Sequence, residues 1–262
     1  MSAPQYAYST QALPSPRTSS SPPPNIESIA NHYATLRLEG LQTFPNAFGS
    51  SYAIESTFTL AEWVSRFWRD DAVVLVCIAH PVSGSDSNTS TSAAAAQSSL
   101  EGEWVGSAIL RGPMPAHEYA LPPQSGAPPF GSDDTETKWQ MTAVYASASH
   151  RGRGIGKMLV QAAKDFAKSH SHTSLQPGLA ILPRPTKLRI RAIIHPDNLK
   201  VLSLYEGAGF VDVGRINGKE AYRTNGDSAF WEMKLQTLSE EMKVYWSTAY
   251  VGVVLEWKGE IE

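Results

Sequence analysis

The stretch from Lys138 to His170 decides the fold. It runs Lys138-Trp139-Gln140-Met141-Thr142-Ala143-Val144-Tyr145-Ala146, then Ser147 to His150, then Arg151-Gly152-Arg153-Gly154-Ile155-Gly156, and continues without a break from Lys157. The first part alternates and is rich in β-formers, which predicts a strand at about 138–146. The last part repeats Ile155, Leu159, Ala162, Ala163 and Phe166 at spacings of three to four, the period of an amphipathic helix. Three glycines at alternate positions lie between them. The first turn of a helix has N–H groups without intrahelical partners, and its peptide dipoles add positive charge there. Glycines let that backbone approach a phosphate and adopt positive φ. Arg151 and Arg153 add mobile cationic donors, and a pyrophosphate is the natural guest.

Two common phosphate motifs do not fit. A Walker loop needs Lys followed by Ser or Thr, but Lys157 is followed by Met158, and Arg151 stands where its first glycine belongs. A dinucleotide fingerprint starting at Gly152 or Gly154 would place its third glycine on Lys157 or Leu159.

The pattern that fits is Arg-x-x-Gly-x-Gly from Arg151 to Gly156, which resembles the acetyl-CoA loop of the GCN5-related N-acetyltransferase (GNAT) superfamily. A second block follows about forty residues on. Leu188 to His195 reads as a strand, Asn198 opens a helix that runs through Tyr205, and Gly209-Phe210 closes it. This order is similar to the superfamily's next motif. A third stretch, Arg37 to Tyr52, is similar to a segment that forms the first helices and one wall of the acceptor site in one branch of the superfamily. The resemblance covers about 26–80 and 100–235 and is specific over 138–168 and 188–210.

The resemblance implies an α/β fold: a mixed, mostly antiparallel twisted sheet, splayed at its central strands and flanked by helices. It implies acetyl-CoA as co-substrate and transfer of the acetyl group, by direct attack, to a primary amine of a small molecule or a protein. By the same resemblance, Val144, Tyr145 and Ala146 supply backbone groups to the pantetheine arm. The pyrophosphate sits on Arg151, Gly152, Arg153, Gly154, Ile155 and Gly156, Asn198 holds the arm, and Tyr205 gives a proton to the leaving thiolate. Asn198 and Tyr205 are about two helical turns apart, so they share a face. Many members carry a glutamate on the motif strand; its place here is taken by Met141, which is no base. Glu55, His117, Glu118 or ordered water remain to take the amine's proton. The missing carboxylate also admits a different class of function, a catalytically silent acyl-CoA-binding module.

Composition narrows the setting. The 262 residues are 42% hydrophobic and 18% charged, with seven Trp and ten Tyr, which is globular and enough for a sizeable core. A net charge of −3 and a pI near 6.2 give no nucleic-acid footprint. No apolar run reaches the ~18–20 residues of a membrane span. The lone Cys77 lies in an apolar run and reads as a core thiol of a reducing compartment. The N-terminus lacks a secretory pattern, and the expected location is cytoplasm or nucleus.

Along the chain, residues 1–25 are rich in Ser and Pro, with a short strand hidden around Tyr6 and Tyr8 or else disorder. The acetyltransferase domain is expected over 26–236, with low-complexity insertions at 83–99, 112–137 and 171–186. Helices are predicted at Ile26–Leu41 and Leu60–Trp68, and strands at Ala72–Ala79 and Trp104–Leu110. Arg189 and Arg191 alternate with Ile190 and Ala192, giving the strand after the insertion one polar face. Strands are predicted at Val211–Arg215 and Ala229–Leu235, with a turn at Asn217-Gly218. Residues 237–262 read as an extension: a helix with Met242, Tyr245, Trp246 and Ala249 inward, then a strand. His170 and His172 have a metal-like spacing without a third ligand close by, so no metal is expected.

Overall fold

The computed structural model describes residues 5–82, 100–171 and 185–261. In chain order the elements are β1 (Tyr6–Ala12), α1 (Ile26–Thr43), α2 (Tyr52–Glu55), α3 (Leu60–Phe67), β2 (Ala72–Pro81) and β3 (Glu103–Arg111). They continue with α4 (Ala116–Tyr119), β4 (Glu136–Ala146), α5 (Ile155–His170), β5 (Lys187–Ile194) and α6 (Leu199–Glu206). The last are β6 (Val211–Ile216), α7 (Gly218–Asn225), α8 (Ser228–Gln236), α9 (Glu240–Thr248) and β7 (Gly252–Glu260). The strands form one sheet in the order β1-β2-β3-β4-β5-β7-β6. All neighbours are antiparallel except β4 and β5, which are parallel and joined by the crossover that contains α5. This is the mixed, mostly antiparallel sheet flanked by helices that the sequence predicts.

The continuous apolar run of β2 follows from burial on both faces. Alternate side chains point to opposite sides, so Val73, Leu75 and Cys77 join the core under α5 with Leu159, Ala163 and Phe166. Val74, Val76 and Ile78 join Tyr33, Leu36, Trp63 and Phe67 of α1 and α3. Thr59 starts α3 with a capping box to Glu62. Cys77 is fully buried, and burial pushes its thiol up to about 11.

The polar face of β5 is not a solvated one. Arg189 donates to Glu136 at 3.1 Å and to Glu256 of β7 at 2.6 Å, and all three side chains are buried. Arg191 donates to Gln140 and to the Tyr119 carbonyl, each at 2.6 Å. Lys138, fully buried, reaches Asp133 at 2.8 Å. The segment expected as an insertion at 112–137 roofs this network with buried Met114 and Tyr119, and its end from Glu136 is already β4. Removing one partner of such a buried pair costs about 3–5 kcal/mol, because the other charge stays buried alone.

Three sequence readings are corrected. The boundary at 236/237 does not hold, because β7 lies between β5 and β6 and pairs with β5 from Lys187↔Glu260 to Ile194↔Val253. The residues after 236 thus complete the sheet. Ala229–Leu235 is helical, inside α8, and Asn217 caps α7 by accepting the Glu220 N–H at 2.9 Å. No residue of α9 is buried, and Met242 and Tyr245 are exposed, because the helix meets its neighbours through Trp246 against Gly218 and Lys234. Tyr6 and Tyr8 do lie in a strand, β1. The insertion at 83–99 and residues 172–184 lie outside the described residues. Among those described, no helix is long and apolar enough to cross a membrane.

Candidate active site

Strand β4 pairs with β5 from Glu136↔Lys187 to Met141↔Ala192 and then leaves it. The cause is local. On the β3 side Ile109 pairs with Thr142 but Ser107 pairs with Tyr145, so β4 carries an extra residue there. Ala143 takes that bulge with a φ of 53°. The bulge bends β4 away from β5, and burial drops at once: Glu136 to Met141 are buried, Thr142 to Val144 partly exposed. Val144, Tyr145 and Ala146 therefore lie beyond the last β5 partner. An unpaired strand edge of this kind accepts an extended ligand through main-chain hydrogen bonds.

The glycine turn follows at the end of that edge. Gly152 and Gly154 have φ of 75° and 82°, and Gly154 is the N-cap of α5. From Arg151 to Lys157 no backbone N–H has a partner among the described residues; the first bond runs from Met158 N–H to the Gly154 carbonyl at 3.0 Å. A Cβ built on Gly152 or Gly154 meets nothing within 4 Å, so the turn has an open side. Gly156 differs: its Cβ would lie 2.9 Å from a Leu204 methyl, so this glycine sets the approach of α5 and α6. Ile155 is buried against Gly106. Arg151 and Arg153 are exposed, Arg151 resting 3.9 Å above the Phe44 ring and Arg153 5.8 Å from Tyr6. Free N–H groups, an open side and two cations fit a pyrophosphate.

On α6, Asn198 holds the N-cap position without a side-chain capping bond and is partly exposed. Tyr205 is 1% exposed and packs edge-on against Phe210 at 4.9 Å. It belongs to the same core cluster as Met141, Ile155 and Ala192. Burial raises its pKa well above the ordinary phenol value, so the hydroxyl keeps its proton.

The other face of β4 is set by register. Gln140, Thr142 and Tyr145 pair with Arg111, Ile109 and Ser107 and share a side, toward α1. Met141 points the other way, into the core under α5. A carboxylate at that position would be buried rather than presented to a substrate. Tyr145 Oη and Ser147 Oγ both donate to Glu39 Oε1, at 2.8 and 2.7 Å. The Phe44 and Phe48 rings lie 6.4 and 6.3 Å from that of Tyr145. Tyr222 of α7 closes the far side by donating to the Gly49 carbonyl at 2.7 Å. Glu39, inside the Arg37–Tyr52 stretch, and the helical crossover from β6 to β7 were not read as site elements. Nothing in the local pattern of 217–250 signals where it folds back.

The expected bases fare differently. Glu55 is fully buried and holds Arg37 at 2.7 and 3.0 Å, with Arg66 at 3.7 Å. Burial alone would raise its pKa, but the Arg37 bond and the two arginine charges outweigh this and hold it below its ordinary value. It is a structural counter-ion, not a base. Glu118 is taken by Arg111 at 3.2 Å, and His117 is exposed. No cluster of three metal-ligating side chains occurs among the described residues. His170 stacks on Phe166 at 3.8 Å, and His172 lies outside the described residues.

No curated protein matches the chain. Solved structures that resemble it include a GNAT-family acetyltransferase from Streptococcus pneumoniae, 11% identical, covering 98% of this chain and 100% of that one with a TM-score of 0.48. Others are the GNAT domain of S. lividans PAT (14%, 88% and 86%, 0.46) and a ribosomal-protein-alanine N-acetyltransferase from Brucella melitensis (15%, 90% and 96%, 0.44). At such identities and scores these likenesses carry no argument about the reaction. Residues 62–177, which run from α3 through β4 and the glycine turn past the end of α5, match the model of the acetyltransferase (GNAT) family.

Proposed function

We propose that the protein transfers an acetyl group from acetyl-CoA to a primary amine, of a small molecule or a protein, by direct attack. The observation that carries this reading is the parting of β4 from β5 after Met141↔Ala192, directly before a turn whose N–H groups have no partners. A long ligand with a diphosphate at one end and an amide-bearing arm needs both features in that order. Acetyl-CoA brings the activated acetyl thioester.

The residues divide the work. The N–H groups of Arg151 to Gly156 hold the pyrophosphate, and Arg151 and Arg153 neutralise it. Backbone groups of Val144, Tyr145 and Ala146 pair with the arm, and a backbone N–H of this edge stabilises the developing oxyanion. Asn198, whose amide makes no capping bond, binds the arm from the opposite side. Tyr205, protonated at all working pH values, donates to the departing thiolate. The acceptor enters past Phe44, Phe48 and Tyr145.

Calorimetric titration with acetyl-CoA tests the binding step, beside a Gly154→Glu control whose carboxylate would occupy the open side of the turn. Saturable binding lost in the control supports the reading, and wild-type protein that binds nothing overturns it. One observation favours a second reading, a silent acyl-CoA-binding module: on the side of β4 shared by Gln140, Thr142 and Tyr145 the strand carries no carboxylate. Release of free thiol in an amine screen decides between the two.

A further inference from the structure

Asp227 lies in the crossover between β6 and β7 and has no role in the reading above. It holds the N-cap position of α8, where an aspartate ordinarily accepts an N–H two or three residues on, yet its side chain makes no such bond. Among the described residues its carboxylate has neither a hydrogen bond nor an ion pair, although it is partly buried. An unpartnered carboxylate in such a place is costly unless something else uses it.

Its position follows from its neighbours. Gly226, with φ of 80°, turns the chain at the end of α7, and the Asp227 N–H returns to the Tyr222 carbonyl at 2.8 Å. On one side, Asn225 accepts from Gln140 Nε2 at 2.9 Å and the Thr224 carbonyl accepts from Arg111 at 3.4 Å. The turn therefore rests on the Arg111↔Gln140 pair, two residues before Thr142. On the other side, Arg37 lies 4.6 Å above the Phe48 ring, which abuts Tyr145. Gln140 and Tyr145 bracket the point where β4 leaves β5; Asp227 follows two residues after the Asn225 that bonds Gln140, and it feels the charge of the Arg37 that packs on Phe48.

The charges around it come from every packed element: Arg37 of α1, Glu55 of α2, Arg66 of α3, Arg69 after it, and Tyr222 of α7. The other carboxylates are engaged, Glu55 by Arg37 and Arg66, Asp71 by Arg69 and Arg111. Asp227 is left over. Its oxygens lie near Arg66, Arg37 and Arg69 but bond none of them, so they stay open to a further donor, and an acceptor ammonium is one.

We propose that Asp227 takes the proton from the acceptor's ammonium group. The N–H bond breaks, an O–H bond forms on the carboxylate, and the nitrogen keeps the electron pair with which it attacks; the proton passes to solvent after turnover. This inference rests on the acetyltransfer reading above. Burial supports it by raising the carboxyl's pKa against the pull of Arg66 and Arg37, which favours the proton it would take.

The test compares Asp227→Asn with the wild type, using acetyl-CoA and two probe amines at pH 7. Ethylamine is almost wholly protonated there, whereas 2,2,2-trifluoroethylamine is almost wholly neutral. Thiol release with ethylamine should fall roughly 100-fold or more in the variant, the size of a lost general base, while trifluoroethylamine loses only a few-fold. Asp227→Glu should recover part of the ethylamine rate, and calorimetric affinity for acetyl-CoA should be the same in all three proteins. Equal losses for the two amines, or a rate within a few-fold of wild type, overturn the role of Asp227 and leave acetyltransfer intact. Acetyl-CoA binding with no thiol release from any amine overturns the role together with the enzymatic reading. Absence of acetyl-CoA binding in the wild type overturns the acetyltransfer reading first.

Discussion

Met141 and Ala192 are the last residues of β4 and β5 to face each other in the sheet, and two residues beyond Met141 the backbone of Ala143 is left-handed. The two facts are one event, since the extra residue at the bulge is what turns β4 out of the ladder. A β-branched side chain tolerates positive φ poorly. Ala143→Val should therefore cost about 1–3 kcal/mol of stability, read as a lower urea midpoint, and should weaken acetyl-CoA binding as β4 straightens. Unchanged affinity in a destabilised variant would detach the bulge from the binding groove.

The three glycines of the turn predict two different phenotypes. Gly152→Ala and Gly154→Ala add a methyl that meets nothing in the free protein, at a backbone cost of about 1–2 kcal/mol each. Their main effect should be lost acetyl-CoA affinity. Gly156→Ala instead pushes on Leu204 and should lower the melting temperature with a smaller change in affinity. Melting curves and calorimetry on the three variants separate these outcomes.

Glu55 should matter for stability. Glu55→Gln leaves Arg37 and Arg66 without their shared counter-ion, a loss of about 3–5 kcal/mol. Because the folded pKa lies below the unfolded one, the contribution is present above the ordinary carboxylate range and fades as pH falls through the folded value. The gap between wild type and variant, measured by urea unfolding, should be wide at pH 7 and narrow in strong acid. A gap that stays constant with pH contradicts the ion-pair account.

Tyr205→Phe should leave stability nearly unchanged, since no hydrogen bond holds the hydroxyl. Acetyl-CoA affinity should also stay, while turnover falls roughly 100-fold if the hydroxyl is the acid. A rate equal to wild type at every pH removes Tyr205 from the chemistry.

Asp227 shows the opposite pH sign to Glu55. Its folded pKa lies above the unfolded one, so the wild type loses stability as pH rises from the unfolded value through the folded one. Asp227→Asn should therefore melt no lower than wild type at pH 7, and the difference should grow between pH 3 and pH 7. A variant clearly less stable at neutral pH would mark Asp227 as a structural group.

Much of this was legible in local pattern. The period change at Gly152–Gly156 marked strand, turn and helix, because a glycine turn with free N–H groups is a property of a few consecutive residues. The apolar run of β2 and the helices of α1, α3 and α5 were legible for the same reason. Ala229–Leu235 was misread because a short apolar run suits a strand or a helix equally. The extension after residue 236 looked separate because a strand's place in a sheet depends on its partners, not on its own residues.

By itself the sequence determined the glycine turn between strand and helix and the sheet's apolar strands, both carried by short-range spacing. Only the tertiary structure decided which groups are free to act. Glu55, a candidate base in one dimension, is bound by Arg37 and Arg66, and Met141 faces the core. Asp227 has no distinguishing neighbour in sequence, yet the fold sets its turn against Gln140 and its carboxylate near Arg66 and Arg37 with no hydrogen bond. A carboxylate's protonation and availability depend on the charges and burial around it, and residues far apart in the chain set both.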